Sequence, residues 1–395
     1  MKRILSVFCA GAALVVAGCS DSVGPVDPGS PSMRASGATN PTYIVKFNDN
    51  VTDVPALARR LAAANGGTIR YTYQRALKGF AASLSPTAAA SLARNPSVAF
   101  VEADQIFTIQ TTQTGATWGL DRSDQRALPL STTYSYTNTG AGVTAYIIDT
   151  GILFGHTDFG GRAVDGYDAV NVGTPADDCN GHGTHVAGTV GGSAYGIAKG
   201  VKLVAVRVLD CGGSGSTSGV VAGIDWVTGN HAAGAPAVAN MSLGGSASTA
   251  LDDAVRRSIT DGVSYGLAAG NGNFFGIAQN ACNYSPARVA EGITVGATDK
   301  TDKKASFSNY GSCLDIFAPG VGITSSWSTS PTATNTISGT SMATPHVVGV
   351  AALYLQGNTG ASPATVRNAL VDNATTGKVT SAGRKSPNKL LFTNY

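Results

Sequence analysis

Three polar residues in this sequence have the side-chain types that acyl transfer needs. Asp149 follows the apolar run Val143–Ile148, His182 lies among glycines, and Ser341 precedes the apolar run Val347–Leu355. A serine near the start of a helix lies beside unpaired backbone N–H groups and the positive end of the helix dipole, which suits an oxyanion. The three residues could therefore act as nucleophile, general base and orienting carboxylate. Their order along the chain, Asp, His, Ser, is one of those known for such triads.

Each of these residues also has an alternative interpretation. Ser341 could be only a helix cap, and Asp149 only a turn residue. Asp149-Thr-Gly151 also matches the tripeptide of aspartic proteases, which need two carboxylates that share a proton, but this sequence has one such tripeptide. His182 and His185 lie one helical turn apart, yet the glutamate of the zinc motif H-E-x-x-H is missing. His185 is therefore predicted to be a structural, hydrogen-bonded histidine.

The segment around Ser341 predicts how that residue is positioned. Gly339 permits a tight turn, and Pro345 fits best in the first turn of a helix, where its missing N–H has no partner. The Ala- and Leu-rich run that follows is long enough for a buried helix. Strands and helices alternate from about residue 143 to 355. This alternation predicts an α/β fold whose parallel sheet has helices on both faces and polar residues at its carboxyl edge.

Three further stretches follow predicted strands. Cys211–Ser216 and Val238–Gly245 are glycine-rich edges that could offer backbone groups to an extended peptide. A phosphate-binding role is disfavoured because both lack a Walker lysine and G-x-G-x-x-G spacing. Asn271 ends a third strand and could be a turn former or an amide donor for an oxyanion.

The composition excludes several other classes of protein. Charged residues are 13% of the 395 residues and there are 50 glycines, which suits a compact, loop-rich enzyme rather than a coiled coil or a disordered chain. The net charge of +3 gives no indication of a nucleic-acid partner.

Residues 1–18 have the pattern of a signal peptide, with Lys2 and Arg3 before an apolar core that is too short to span a membrane. Val16–Cys19 resembles a bacterial lipoprotein signal, which predicts lipid attachment to Cys19 after cleavage. The alternative is an ordinary secretory signal with an incidental cysteine. Residues 19–41 are rich in Pro, Gly and Ser and are predicted to be a flexible linker.

The cysteines beyond the signal region indicate disulfides. In an exported protein, four cysteines predict two bridges, and their spacing alone allows three pairings. They are Cys179, Cys211, Cys282 and Cys313. The C-x-x-C pairs of zinc ribbons are absent.

Residues 42–110 predict the order strand, helix, strand, strand, helix, strand. The second helix is expected from Pro86 to Arg94 and the last strand from Val98 to Ile109. This order is that of the split β-α-β-β-α-β module, a small α+β ferredoxin-like fold. Such a module could be an independent binding domain, but its position between a signal peptide and a candidate protease favours a propeptide.

Four motifs together resemble those of the subtilisin-like serine proteases, or subtilases. They are Ile148-Asp-Thr-Gly-Ile152, Asn180-Gly-His-Gly-Thr-His185, Ala268-Ala-Gly-Asn271 and Gly339-Thr-Ser-Met-Ala-Thr-Pro345. Trp118-Gly-Leu-Asp121 and Ser306-Phe-Ser-Asn-Tyr-Gly311 resemble the proteinase K branch, in particular its aqualysin-like and Vibrio-type extracellular proteases. Residues 115–395 carry this resemblance, and residues 42–110 resemble the inhibitor-type propeptide of the family. The resemblance to the subtilases implies a three-layer α/β/α catalytic domain with a mainly parallel sheet.

The resemblance also implies a role for each matched residue. Asp149, His182 and Ser341 would be the catalytic triad, and Asn271 would serve the oxyanion hole. The implied substrate-binding residues are Gly213, Ser214, Gly215, Ser242, Leu243, Gly244 and Gly270. The implied structural calcium ligands are Asp315 with the carbonyls of Ala290 and Gly292 at one site, and Asp121, Asp124 and Gln125 at a second, where Ser131 and Thr133 replace stronger oxygen ligands of some relatives. The implied disulfides are Cys179–Cys211 and Cys282–Cys313.

The function implied in this way is that of a secreted, monomeric serine endopeptidase with structural calcium and no catalytic metal. It would be made as a zymogen that removes its own propeptide, an intramolecular inhibitor and folding aid. Backbone recognition of peptides implies broad specificity with a hydrophobic or aromatic leaning. A lipid on Cys19 would hold the precursor at a bacterial membrane until the chain is cut near residues 111–116.

Two other functional classes remain to be compared with this one. A binding module that uses the same fold without chemistry would lack a member of the triad, and all three residues are present. An esterase or lipase would carry the G-x-S-x-G elbow, which Gly339-Thr-Ser-Met-Ala343 does not match.

Overall fold

A computed structural model describes residues 41–104 and 111–395 of the chain. The chain divides into two units, residues 1–107 and 108–395. The expected signal peptide with Cys19 and nearly all of the expected linker lie outside the described residues, as does the segment 105–110.

The first unit is a four-stranded antiparallel sheet with two helices, in the order that the sequence predicts. Its elements are β1 (Thr42–Phe47), α1 (Val54–Ala64), β2 (Thr68–Tyr73), β3 (Gly79–Ser83), α2 (Pro86–Leu92) and β4 (Val98–Ala103). The strands lie in the order β2-β3-β1-β4. One face of α1 packs on the sheet because Val54, Leu57, Ala58 and Leu61 recur at helical spacing. Two predicted ends are corrected. Helix α2 stops at Leu92 and not at Arg94, because the N–H of the next residue, Ala93, donates to two carbonyl oxygens and closes the last turn. Strand β4 stops at Ala103.

The second unit alternates strands with helices. Its strands are β5 (Thr111–Thr114), β6 (Thr133–Tyr136), β7 (Thr144–Asp149), β8 (Ala163–Asp168), β9 (Lys202–Arg207), β10 (Ala237–Met241), β11 (Gly245–Ser246), β12 (Ser264–Ala268), β13 (Tyr284–Ser285), β14 (Ile293–Thr298), β15 (Ile316–Pro319), β16 (Ile323–Ser326), β17 (Thr334–Ile337), β18 (Thr375–Thr376) and β19 (Lys389–Leu390). Its helices are α3 (Trp118–Ser123), α4 (His182–Gly191), α5 (Thr217–Asn230), α6 (Thr249–Asp261), α7 (Thr340–Gly357) and α8 (Pro363–Asn373).

Within residues 111–395, nine strands form one sheet in the order β18-β19-β15-β14-β12-β10-β7-β9-β8. All of its pairings are parallel except that of β18 with β19. The central strands β7, β10 and β12 are buried almost throughout, as expected for a sheet covered on both sides. Parallel strands end at the same edge, so the residues that follow these three strands lie close together.

Alternate residues of β7 show that the sheet is the middle of three layers. Ala145 and Ile147 pack in one hydrophobic cluster with residues of α4 and α7. Tyr146 and Ile148 point to the opposite side and pack with residues of α5 and α6. The predicted α/β/α architecture is confirmed.

The helix that carries Ser341 begins earlier than expected. Because α7 starts at Thr340, Pro345 lies in its second turn rather than its first. A proline there cannot donate to the carbonyl oxygen four residues earlier, which belongs to Ser341. The Ser242 hydroxyl donates to that oxygen instead, at 2.8 Å. This interruption of the helix joins Ser341 to the end of β10.

Two disulfides join the pairs that the resemblance implies. The sulfur atoms of Cys179 and Cys211 are 2.00 Å apart, and those of Cys282 and Cys313 are 2.13 Å apart. The bridged residues are 32 and 31 positions apart. A disulfide that closes a loop of this size adds about 3–4 kcal/mol to the free energy of unfolding in the chain-entropy model. The first bridge joins the segment before His182 to the glycine-rich loop after β9.

No helix among the described residues is both long enough and apolar enough to span a membrane.

A fully buried ion pair fastens α3 to a distant loop. Arg122 Nε donates to Asp302 Oδ1 at 2.7 Å and its Nη2 donates to Oδ2 at 3.0 Å. The third nitrogen of the guanidinium donates to the carbonyl of Gln125. Arg122 has no exposed surface and Asp302 is 5% exposed, so neither charge has water as a substitute partner.

We expect Arg122→Ala to lower the free energy of unfolding by about 3–5 kcal/mol, because it leaves the Asp302 carboxylate buried without its counter-ion. Urea unfolding of protein inactivated by a serine-directed reagent would measure this loss. The matched control is Arg256→Ala, which removes the exposed pair with Asp253 and should cost less than about 1 kcal/mol. Equal losses in the two variants would contradict a structural role for the buried pair.

Candidate active site

Asp149 and His182 are joined by a short hydrogen bond at the carboxyl edge of the sheet. His182 Nδ1 and Asp149 Oδ1 are 2.7 Å apart. Asp149 ends β7 and is fully buried, whereas His182 begins α4 with its side chain 25% exposed. With Asp149 ionised, Nδ1 carries the proton, so a neutral His182 presents Nε2 as an acceptor.

Opposing effects set the pKa of His182. Burial of the ring lowers this pKa, but the charge and hydrogen bond of Asp149, aided by the charge of Asp178, outweigh burial and raise it above the ordinary 6.5. The imidazole is therefore a stronger base than a free histidine, which suits a residue that accepts a proton.

Ser341 is linked to the strand end after β10 through Ser242. The Ser341 hydroxyl donates to the Ser242 carbonyl at 3.1 Å, and the Ser242 hydroxyl donates to the Ser341 carbonyl at 2.8 Å. Ser242 and His182 line the same groove. Ser341 lines the adjoining pocket, which shares the segment from Leu243 to Ser246 with that groove.

Asn271 and the first turn of α7 bring two N–H donors together. Asn271 Oδ1 accepts from the backbone N and the hydroxyl of Thr340, at 2.8 and 2.9 Å. The position that a Cβ on Gly339 would occupy lies 3.4 Å from Asn271 Nδ2 and 3.5 Å from Ser341 N. Both nitrogens thus lie beside the space where Gly339 lacks a side chain. An oxygen placed there could accept from both.

A second asparagine, Asn309, holds the loop that carries Asn271. Its side-chain amide donates to Ala269 O at 2.8 Å, and its Oδ1 accepts from Gly272 N at 3.1 Å. Gly270 has φ +98°, and a Cβ there would lie 2.5 Å from Asn309 Nδ2, so only glycine fits. The sequence assigned no role to Asn309, and its place in the motif Ser306–Gly311 was the only signal.

An open groove of 730 Å³ runs past His182. The loop after β9 forms one side and the segment after β10 forms the other. The expected substrate-binding residues that line it are Gly213, Ser214, Gly215, Ser242, Leu243 and Gly244. A Cβ on Gly215 would lie 2.3 Å from the Val208 carbonyl oxygen, so this position of the wall has no room for a side chain.

A smaller pocket of 240 Å³ opens beside Ser341. Asn271 and the expected residue Gly270 line it, together with Leu243, Gly244 and Tyr284. Its other walls include Ala268, Ala269 and Ala287. Small apolar walls leave room for one large apolar side chain.

Asp178 positions His182, and the sequence did not single it out. Its Oδ1 accepts from Thr150 Oγ1, Asn180 N and Gly181 N, each at 2.9 Å. Its Oδ2 accepts from Thr184 N at 2.9 Å and from Thr184 Oγ1 at 2.6 Å. This buried carboxylate ties the end of β7 to the start of α4. An aspartate shortly before a Gly-rich helix start is the signal that could have indicated it.

His185 is a structural residue, as expected. Its Nε2 donates to the Ile323 carbonyl at 3.0 Å, and burial lowers its pKa to about 4. It remains neutral at neutral pH and is not among the residues that line the groove.

At the first expected calcium site, a positively charged side chain of the protein itself is already paired with the carboxylate. Asp315 forms an ion pair with Arg367, and its Oδ2 accepts from Thr294 N at 2.8 Å. Thr294 follows the turn that contains Ala290 and Gly292, so the expected ligands are neighbours. A calcium ion there would have to share the carboxylate with a guanidinium, which fits poorly.

The second expected site suits a cation better. Asp124 Oδ2 accepts from Ser135 N at 2.7 Å, whereas Oδ1 is buried and has no partner among the described residues. Burial, and then the nearby charge of Asp121, raise the pKa of Asp124 to about 6. Asp121 itself accepts from the Gln125 amide and from Ser131 N. No group of three or more His, Cys, Asp or Glu residues that could hold a metal occurs in the described part of the chain, so a cation would need neutral oxygens as well.

Comparisons with known proteins agree with this arrangement. Residues 140–390 match the model of the subtilase family of peptidases, and residues 42–110 match that of the I9 peptidase inhibitors. An extracellular serine proteinase of Thermus sp. (strain Rt41A) is 54% identical over 92% of this chain and 92% of its own length. The alkaline serine exoprotease A of Vibrio alginolyticus is 56% identical over 82% of this chain and 60% of its own length. The crystal structure of a cold-adapted subtilisin-like serine proteinase, 56% identical, superposes on 71% of this chain and all of its own with a TM-score of 0.68.

The fold and the site together define a serine hydrolase built on a three-layer α/β/α domain. The chain belongs to the subtilase family, and it is a serine proteinase that carries an I9 inhibitor-type propeptide.

We expect kcat/KM for a short peptide anilide to fall as pH drops through an ionisation above 6.5, because His182 accepts a proton only when neutral. Asp149→Asn removes the main influence that raises this pKa, so the acid limb should move to lower pH. The maximal rate should fall about 10⁴-fold, since the amide no longer fixes the tautomer. Rate profiles between pH 5 and 9 would measure both changes. An acid limb that stays in place in Asp149→Asn would contradict the coupling of the two residues.

Proposed function

We propose that this protein is a secreted serine endopeptidase in which Asp149, His182 and Ser341 form the catalytic triad. The observation that carries the proposal is the 2.7 Å bond between Asp149 and His182 beside a groove that is also lined by Ser242, the residue bonded to the Ser341 hydroxyl. Among the described residues, these groups supply a base, its orienting carboxylate and a nucleophile at one edge of the sheet.

In the proposed mechanism, the Ser341 hydroxyl turns from the Ser242 carbonyl towards His182 when a peptide occupies the groove. His182 Nε2 accepts the hydroxyl proton as Oγ attacks the scissile carbonyl carbon, and the ring later gives that proton to the leaving amine. Asp149 stabilises the imidazolium that forms in between. Water then repeats the sequence on the acyl-enzyme, with His182 as the base again.

The oxyanion of each tetrahedral intermediate would accept from Asn271 Nδ2 and Ser341 N. Their convergence over Gly339 supports this role. Thr340 holds the Asn271 side chain in this orientation before the substrate arrives, so little reorganisation is needed during the reaction.

Substrate selection is proposed to be broad, with a hydrophobic or aromatic leaning. Gly213, Ser214 and Gly215 on one side, and Ser242, Leu243 and Gly244 on the other, would pair with the backbone of an extended peptide. The pocket bordered by Gly270 would hold the side chain before the cleaved bond. Its alanine and glycine walls favour large apolar side chains over charged ones.

The domain plan is proposed to follow maturation of a secreted zymogen. Residues 1–18 would direct export, and residues 19–41 would be a flexible linker. Residues 42–110 would inhibit the catalytic domain and assist its folding. Residues 115–395 would be that catalytic domain, as a monomer. Ser341 would cut its own chain near residues 111–116. If Cys19 carries a lipid, the precursor is held at the membrane, and self-cleavage separates the catalytic domain from the lipidated residue.

A structural calcium ion is proposed at Asp121, Asp124 and Gln125. The buried, unpartnered Asp124 Oδ1 beside a second carboxylate supports it. When bound, the ion would neutralise this pair of charges and brace the loop between α3 and β6. The alternative ligands Asp315, Ala290 and Gly292 compete with Arg367 and receive less support.

We expect Ser341→Ala to lower peptide hydrolysis about a millionfold and to leave the chain uncut, with its propeptide attached. Expression in a protease-free host, casein assays, fluorophosphonate labelling and intact mass would measure this. The uncut variant should remain with the membrane fraction, whereas the wild-type catalytic domain should be soluble.

The double variant Cys19→Ala/Ser341→Ala is the matched control, and it should be soluble although uncut. Normal processing of Ser341→Ala would contradict self-cleavage. An uncut Ser341→Ala chain that is soluble with Cys19 intact would contradict the lipid anchor alone. Hydrolysis of a long-chain ester without cleavage of casein would contradict the peptidase assignment itself.

We expect a calcium chelator to lower the melting temperature of the inactivated wild type by several degrees and to have little effect on Asp124→Asn. Without calcium, Asp124→Asn should be at least as stable as the wild type, because one of two neighbouring buried charges is gone. Asp315→Asn should be destabilised to the same extent with and without calcium, since it loses the pair with Arg367. Calorimetric scans would distinguish the two sites. A chelator response that disappears only in Asp315→Asn would place the ion at the other site.

A further inference from the structure

A short loop beside the active site exposes three large apolar side chains. Phe274 is 97% exposed, Phe275 is 80% exposed and Ile277 is 60% exposed. The two phenylalanines are the most exposed large apolar side chains in the described chain. Leaving aromatic rings in water forfeits their burial, so a cluster of them is a sign of an interaction surface.

The loop holds these side chains outward through hydrogen bonds of its own backbone. Asn273 N donates to Ile277 O at 2.9 Å, and Gly276 N donates to Asn273 O at 2.8 Å. The Asn273 side-chain oxygen accepts from Phe275 N and Ile277 N, at 3.0 and 3.1 Å. The rings of Phe274 and Phe275 meet edge to face, with centroids 5.6 Å apart. The exposure therefore belongs to an ordered turn and not to a frayed segment.

The base of the loop is part of the site itself. Asn309 Oδ1 accepts from Gly272 N and from Gln279 N, which closes the neck of the loop. Gly272 lines the pocket beside Ser341. Phe274 follows Gly272 by two residues, so their Cα atoms are no more than about 7 Å apart. The loop that carries the apolar side chains thus begins at a wall of the pocket.

Charge and size indicate which partner fits this surface. Residues 262–287 contain no Asp, Glu, Lys or Arg. Helices and loops that bind anionic membranes usually carry basic residues beside the apolar ones, and none is present here. Three side chains are also far too few for a stable dimer, which buries roughly 1,200–2,000 Å². A polypeptide that already lies in the adjacent cleft needs only a small additional contact.

We propose that Phe274, Phe275 and Ile277 form an apolar platform that binds the part of a polypeptide substrate lying outside the pocket. This inference rests on the proposed peptidase function and extends it to the choice of substrate. The platform favours chains with apolar side chains on both sides of the cleaved bond, which folded proteins bury and unfolded proteins expose. Its contribution is made on binding, so it acts mainly on KM rather than kcat.

The test uses the mature wild-type enzyme and the double variant Phe274→Ser/Phe275→Ser. Two long peptides share the same residues next to the cleaved bond and differ in their flanks, which are rich in Leu and Phe in one and in Ser and Gly in the other. The measured quantity is the ratio of kcat/KM for the apolar-flanked peptide to that for the polar-flanked peptide. Val172→Ser is the control, because Val172 is 76% exposed but belongs to a different loop, between β8 and α4.

We expect the ratio to fall about tenfold in the double variant, through KM, and to stay at its wild-type value in Val172→Ser. A ratio that does not change, or equal losses on both peptides, would overturn the platform and leave the peptidase assignment standing. Binding of lipid vesicles or self-association that depends on the two phenylalanines, without a change in the ratio, would also overturn it. If the wild type cleaves neither peptide, the proposed function fails first.

Discussion

Buried polar groups at the carboxyl edge of the sheet need partners, and the active site depends on that requirement. β7, β10 and β12 all end there, in a layer that is covered by helices on both faces. A buried donor or acceptor without a partner costs about 1–3 kcal/mol. Asp178 and Asn309 meet the requirement with several hydrogen bonds each, to segments that come from different elements. Each such bond restricts where His182 or Asn271 can lie. The same hydrogen bonds therefore supply partners to buried polar groups and position the reacting side chains.

A buried polar atom at this edge that lacks a hydrogen-bond partner is also informative. Asp149 Oδ2 is buried without a partner in the described part of the chain, although Oδ1 accepts from Thr150 N and from His182. The charge of the carboxylate is therefore compensated largely through the imidazole. This is one reason why Asp149 and Asp178 together outweigh burial in raising the pKa of His182. A donor to Asp149 Oδ2 would stabilise the edge but make His182 a weaker base.

Much of this could be predicted from the sequence, and the exceptions share a physical cause. The period of apolar residues predicts the layers, and local motifs predict Asp149, His182, Asn271 and Ser341, because these signals reside in a few consecutive residues. Asp178 and Asn309 act through bonds to distant segments, which no local pattern contains. The start of α7 was misjudged because Ser242, almost one hundred residues earlier, supplies the donor that Pro345 lacks. The pairing of Asp315 with Arg367 likewise lacked a local signal, because the two residues are more than fifty positions apart, and calcium binding at Asp315 stays a prediction.

The walls of the cleft support the broad specificity that is proposed for a site of such exact geometry. Geometry is strict at Gly339, where two donors meet, but the groove past His182 is lined by glycine and serine backbone that every residue of a peptide can pair with. Discrimination must then come from surfaces that meet side chains. The pocket beside Ser341 and the loop that follows Asn271 are such surfaces, and the uncharged stretch 262–287 supplies residues of both. A cleft with no charge on this side cannot select substrates by salt bridges, so apolar contact is the means of selection that remains there. In the proposed function, the chain segment that serves the oxyanion would thus also influence which polypeptides are brought to it.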